Sequence, residues 1–294
     1  MSPVSSSMVS LPVGAEDAGW LLPAFAFAVG ACVGSFLNVC IHRLPADESV
    51  VRPASRCPRC ATPIAWHDNI PLLSWAWLGA RCRACRAPIP VRYPLVEALT
   101  GGLAVLALAR FGLTADAAVA FLFTAALLLI TFIDLDHRFI PDEVSLPGVV
   151  VGLAVSFLPG GVTPLDALGG VLLGGGVLWA VAWGYERLTG VEGMGYGDVK
   201  LLAMMGAFLG WQPIPAVLVI ASITGSLAGA LLIFARGGTR RARRVARRFG
   251  IRVVPAWMQR AARRTEIPFG PFLALGAVIA VYAPALTIPW QVIS

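Results

Sequence analysis

Eight long apolar stretches, each bounded by charge, Pro or Gly, constrain this chain more than any other feature. They lie at 19-41, 95-111, 117-133, 144-158, 165-183, 199-211, 214-235 and 270-290 of its 294 residues. With 57% hydrophobic and 13% charged residues and a mean hydropathy of +0.77, the bilayer is its solvent. Gly 31 and Pro 22 are high for a water-soluble helical protein but tolerated in membrane helices. Disorder, a collagen-like repeat and a secreted disulfide scaffold are excluded. The expected fold is an all-α polytopic membrane protein of about eight transmembrane helices. The third, fifth, seventh and eighth stretches are comfortably long for a span of about 20 residues, and the fourth and sixth are short.

Residues 1-18 carry Glu16 and Asp17 but no Lys or Arg, so they lack the positive leading region of a signal peptide, and 19-41 reads as a retained first helix. Eight basic residues fall in 42-93 and eleven in 236-268; the others are Arg110, Arg138, Arg187 and Lys200. With an extracytoplasmic N-terminus and eight alternating helices, 22 of the 23 basic residues face the cytoplasm, all but Arg110. The net charge of +7 is therefore a topology signal, and anionic lipid is a sufficient partner for it.

The 42-93 segment contains Cys57-Pro-Arg-Cys60 and Cys82-Arg-Ala-Cys85. Two such knuckles present four thiolates to one ion, which suits tetrahedral structural zinc and predicts a metal-clipped cytoplasmic insert. Redox pairs or merely reduced thiols are the competing reading. Cys32 and Cys40 lie in the first apolar stretch and read as small helix residues.

Two acidic residues stand at apolar boundaries. Asp134 closes the third stretch in Thr131-Phe-Ile-Asp134-Leu-Asp136, and Asp198 precedes the sixth in Gly193-Met-Gly195-Tyr-Gly197-Asp198-Val-Lys200. Both arrive at the same membrane face in the topology above. Gly195 and Gly197 allow close backbone approach and conformations closed to other residues, which suits a site that takes an extended peptide. Two neighbouring carboxylates share a proton, so one can activate water while the other protonates a carbonyl oxygen. The competing reading is a pair of solvated charges at helix ends, where Asp198 is a favourable cap. His42, His67 and His137 show no metallohydrolase spacing.

Taken together, these stretches resemble the type IV prepilin peptidases, membrane aspartic proteases of the Gly-x-Gly-Asp type. The resemblance rests on Gly34-Ser-Phe-Leu-Asn38 through Arg43-Leu-Pro45, the cysteine pairs with Asn69-Ile-Pro71 and Ser74-Trp75 between them, and Arg92-Tyr-Pro94-Leu-Val-Glu97. It extends through the Asp134 segment, Gly193 to Leu201, and Ile267-Pro-Phe-Gly270-Pro-Phe272. It implies that Asp134 and Asp198 are catalytic, with Asp134 preferred over Asp136 because it lies six residues before Ile140-Pro141-Asp142. Gly195, Gly197 and Lys200 are expected to support substrate and loop. The resemblance also implies a pilin-like precursor as partner, cut after glycine behind a basic leader, at the cytoplasmic face of the inner membrane. N-methylation from S-adenosylmethionine follows in the family; the first helix and the 42-93 loop are implicated, with Asn38, Arg43 and Glu97 as candidates. Their ordinary readings are a polar turn, a snorkelling positive flank and a charge at a helix start. On this reading 94-294 is the peptidase domain.

Within it, 236-268 is an Arg-rich cytoplasmic loop longer than the resemblance leads one to expect. Val245, Phe249, Val253 and Trp257 are spaced by four, the pattern of an interfacial amphipathic helix on anionic lipid. No nucleic-acid motif accompanies the arginines, and no nucleic-acid partner is expected. Two other function classes remain open at this point: a transporter using intramembrane carboxylates, and a zinc-bearing scaffold without catalysis.

Overall fold

The structure, a computed structural model, describes residues 19–159, 161–190, 195–248 and 268–287. Among these residues the chain is helical, with no strand beyond two isolated β-bridges. The helices are α1 (Leu21–Arg43), α2 (Leu73–Trp77), α3 (Arg92–Phe111), α4 (Ala115–His137), α5 (Asp142–Val155), α6 (Pro164–Thr189), α7 (Tyr196–Leu209), α8 (Ile214–Arg248) and α9 (Gly270–Tyr282). Each of the eight apolar stretches thus falls on a helix, and the short α2 lies in the segment between the cysteine pairs.

Eight membrane crossings do not follow from eight helices. Among the described residues five segments are long and apolar enough to cross: Leu21–Ala46, Arg92–Phe111, Ala115–His137, Pro164–Thr189 and Ile214–Leu231. Helices α5 and α7 have 14 residues each and α9 has 13. At 1.5 Å per residue they rise only about 20 Å, against a hydrocarbon core of about 30 Å. For α9 this corrects the sequence expectation of a comfortable span. Its helix stops before Ala283-Pro284, where the proline disfavours helical backbone in the preceding residue and a 3-10 turn, Pro284–Leu286, takes over.

The chain divides into two compact units. Of the described residues, one unit comprises those up to Cys40 together with Val50–Phe121, and the other comprises Ile41–Ser49 and those from Leu122 onward. In the second, α7 is the buried element, with Leu201, Leu202, Met204 and Met205 at 1% exposure or less. It packs on α5, α6, α8 and α9. Burial of apolar area does not drive helices together in lipid, so close packing must. Gly170 of α6 and Gly206 of α7 provide it, each leaving no room for a Cβ against the other's backbone.

Local signals set the helix ends. Thr163 caps α6, its hydroxyl accepting from Asp166 N–H at 3.2 Å, with Pro164 as first helical residue. Gly190 ends the same helix in a left-handed conformation, φ +69°. Helix α8 continues from its apolar half through Arg248, so the first part of the predicted 236-268 loop is helix. Residues 1-18, Gly193, and the Phe249, Val253 and Trp257 positions of the predicted stripe lie outside the described residues.

Candidate active site and four-cysteine cluster

In the second unit the C-terminal end of α4 meets the N-terminal end of α7. Asp134, in the last turn of α4, is 5% exposed, whereas Asp136 is exposed. Its Oδ2 accepts from Gly270 N–H at 3.0 Å. The first N–H groups of a helix have no partner inside it and carry the positive end of its dipole, so Asp134 caps α9 from another element. Asp198 occupies the first turn of α7 and is half-buried. The two carboxylates lie close enough for their charges to interact.

Two contacts between neighbouring elements keep these ends in register. A Cβ on Gly197 would fall 3.0 Å from Ile140 Cβ, so the start of α7 lies directly on the segment that leaves α4. One turn further, Lys200 Nζ reaches both oxygens of Asp142, the first residue of α5, at 2.7 Å. The conformational freedom expected of the glycines is not used: Gly195 has ordinary extended backbone, φ −68° and ψ 134°, and Gly197 is helical. What Gly197 contributes is the absence of a side chain against Ile140; a Cβ at Gly195 would meet nothing within 4 Å among the described residues.

The four cysteines of the first unit converge. Sγ atoms of Cys57, Cys60, Cys82 and Cys85 all lie within 4.8 Å of one another, and Cys57 Sγ is 3.8 Å from Cys85 Sγ. Four thiolates at about 2.3 Å from a single zinc stand about 3.8 Å apart, so the donor set fits a tetrahedral ion. Each half is the same knuckle. Ala61 N–H donates to Cys57 O at 2.9 Å and Cys57 N–H to Thr62 O at 3.0 Å; Arg86 donates to Cys82 O at 3.0 Å and Cys82 to Ala87 O at 2.8 Å. The residue after the second cysteine, Ala61 or Arg86, has positive φ in both. Hydrogen bonding to Thr62 holds the Cys60 thiol down to about 6, which favours the ligating thiolate. Arg83, inside the second knuckle, donates from Nε to Asp68 Oδ2 at 2.7 Å, and Trp75 Nε1 donates to Ile89 O at 3.1 Å.

Of the three remaining candidates, two come together. Asn38 Nδ2 donates to Tyr93 O at 3.0 Å, and Glu97, one turn beyond Tyr93, accepts from Leu72 N–H at 2.8 Å. Both side chains are buried, at 5% and 8% exposure. Arg43 belongs to the second unit, where its guanidinium donates to Ser49 O at 3.0 Å across the turn that follows α1. Sequence reasoning did not single out Gly270 or Asp142. Gly270 lay in a stretch quoted for the resemblance, but its contact with Asp134 joins residues 136 apart and has no local signal.

The Bacterial Peptidase A24 N-terminal domain family matches residues 28–111, and the Type IV leader peptidase family matches residues 121–230. Three relatives named prepilin leader peptidase/N-methyltransferase are similar along most of the chain. The Myxococcus xanthus protein is 46% identical over 74% of this chain and 65% of its own length. The Aeromonas hydrophila protein is 40% identical over 89% and 91%. The Burkholderia pseudomallei (strain 1026b) protein is 36% identical over 94% and 88%. No solved structure matches the chain.

Proposed function

The chain belongs to the type IV leader peptidase family, and from that premise we propose that it removes the leader of pilin-like precursors and then N-methylates the new N-terminus. The observation that carries this reading is the meeting of a buried Asp134 with Asp198 at adjoining helix ends, their charges interacting. Two carboxylates so placed share a proton. The ionised one takes a proton from a water molecule as it attacks the scissile carbonyl carbon, and the protonated one donates to the carbonyl oxygen. The pair acts as one titrating unit, so neither Asp134 nor Asp198 is assigned the acid role alone.

Around the pair, Gly197 and Lys200 hold α7 against Ile140 and Asp142, and the bare backbone at Gly195 leaves space for an extended peptide. The precursor is cut after glycine, its basic leader on the cytoplasmic side and its apolar helix in the inner membrane. The basic loops give the same orientation: N-terminus outside, both sites at the cytoplasmic face. Zinc on Cys57, Cys60, Cys82 and Cys85 organises the loop of the first unit and takes no part in hydrolysis. S-adenosylmethionine supplies the methyl group, with Asn38, Arg43 and Glu97 as the residues that serve that step.

The reading is tested by incubating the purified protein, in lipid and with S-adenosylmethionine, with a precursor whose basic leader ends in Gly followed by Phe. Mass spectrometry should find the leader removed and one methyl group on the new amine. An intact precursor would exclude the peptidase; a cut but unmethylated product would exclude the transferase alone. The transporter and bare-scaffold readings predict no change in the precursor.

A further inference from the structure

Inside the first unit α1 and α3 run antiparallel at close quarters. A Cβ on Gly30 would lie 2.7 Å from Ala104 Cβ, and one on Gly34 would lie 2.7 Å from Glu97 Cα. One turn further along α1, Asn38 Nδ2 reaches Tyr93 O. Rising numbers on α1 meet falling numbers on α3, so Asn38 and Glu97 sit about one helical turn apart at the same end of this seam.

Both side chains hydrogen-bond to neutral groups. Glu97 Oε2 accepts from Leu72 N–H, and its carboxylate also accepts from the Ser35 hydroxyl. Both of these donors are neutral groups. Asn38 donates its amide N–H to Tyr93 O, while its Oδ1 is buried and has no hydrogen-bond partner among the described residues. Buried acceptors and buried charges are kept only where something answers them.

The backbone beside Glu97 is strained. Leu72 has φ +62° and ψ −49°, with Leu73 N–H closing on Pro71 O at 2.6 Å, a γ-turn of the rare positive-φ kind. Such a conformation persists where its surroundings over-determine it, and such residues cluster at ligand sites. At this turn the Leu72 N–H donates to Glu97 Oε2 at 2.8 Å.

We infer that Asn38 Oδ1 and the Glu97 carboxylate form the acceptor side of a binding site for a primary ammonium group. An ammonium has donors and no acceptor, and its charge answers the carboxylate as a water molecule cannot. In the proposed methylation, two reactants bring such a group: the freshly cut N-terminus, and the amino-acid end of S-adenosylmethionine. The inference rests on that reading for the origin of the ammonium, and on the geometry of α1 and α3 for the site.

The test measures equilibrium binding to the full-length protein in lipid nanodiscs. The probes are a peptide with a free N-terminal Phe, its N-acetylated form, S-adenosylmethionine and N-acetylated S-adenosylmethionine. Acetylation should weaken binding of one free-amine probe by about tenfold or more in the unmodified protein, a comparison that needs no variant. E97Q and Asn38→Leu should weaken that same free-amine probe equally and leave its acetylated form unaffected, whereas Asn38→Asp, which keeps the acceptor oxygens, should retain binding. Loss confined to the peptide assigns the cut N-terminus; loss confined to S-adenosylmethionine assigns the methyl donor. Free and acetylated forms binding alike, or variants of native helicity that discriminate as the parent does, would overturn the inference. Discrimination without any methylation in the parent protein would sink the transferase reading and leave the ammonium site standing.

Discussion

The main-chain N–H of Gly270 donates to Asp134 Oδ2 at 3.0 Å, joining the start of α9 to a carboxylate buried in the last turn of α4. A Cβ at position 270 would stand 2.6 Å from that same oxygen. Gly270→Ala must therefore push the carboxyl group aside, and displacements of that order cost about 10²-fold in rate at a positioned group. Leader cleavage should fall by about 10- to 100-fold. Gly176→Ala in α6, where the added methyl meets nothing within 4 Å among the described residues, is the control. Equal activity of the two variants would show that the Asp134 position does not depend on this contact.

The Lys200–Asp142 pair makes a different prediction. Its side chains are 35% and 51% exposed, so it contributes less than about 1 kcal/mol to stability. It joins α7, two residues past Asp198, to the start of α5. Lys200→Met and Asp142→Asn should leave the melting temperature nearly unchanged yet lower cleavage severalfold. Exchanging the two charges in a double variant should recover part of the loss. A large fall in melting temperature with unchanged cleavage per folded molecule would contradict this.

For the cysteine cluster, metal analysis should find about one zinc per chain. Cys57→Ser and Cys82→Ser should each lose it, since each removes one of four sulfur donors that converge within 4.8 Å. Full occupancy after either change would place the metal elsewhere.

The loop between the knuckles also carries a pH dependence. The Arg83 guanidinium hydrogen-bonded to Asp68 holds that carboxyl below its ordinary value of 3.8. Its folded value being the lower one, the pair's contribution is complete above 3.8 and disappears as pH falls through the folded value. Amide exchange in Trp66–Asn69 should be faster in Asp68→Asn than in the parent at neutral pH, and the difference should vanish in acid. A difference that grew on acidification would contradict the assignment.

How far this was legible from sequence depended on the range of each interaction. The helices were legible because their apolar runs are continuous and their ends carry local signals, such as Thr163-Pro164 before α6 and Gly190 after it. The cysteine cluster was legible because two identical short spacings encode two identical knuckles. Membrane crossing was not, because a buried helix and a lipid-spanning one are equally apolar. Helix α7, whose Leu201 and Met205 are wholly enclosed by protein, is the clearest case. The contacts of Gly270 with Asp134 and of Lys200 with Asp142 join residues 136 and 58 apart, and nothing local announces them. Arg43 was named as a candidate from its position at the end of α1, and its hydrogen bond to Ser49 O across the following turn has no signal in the sequence.

The central claim is that Asp134 and Asp198 together activate water against a peptide bond. Its most direct measurement is the rate of leader removal from a pilin-like precursor by Asp134→Asn and by Asp198→Asn, each inserted in membranes at the level of the parent. Loss of general acid–base action predicts a fall of about 10²- to 10⁴-fold for either change alone. Cleavage at the parent rate by either variant would contradict the account.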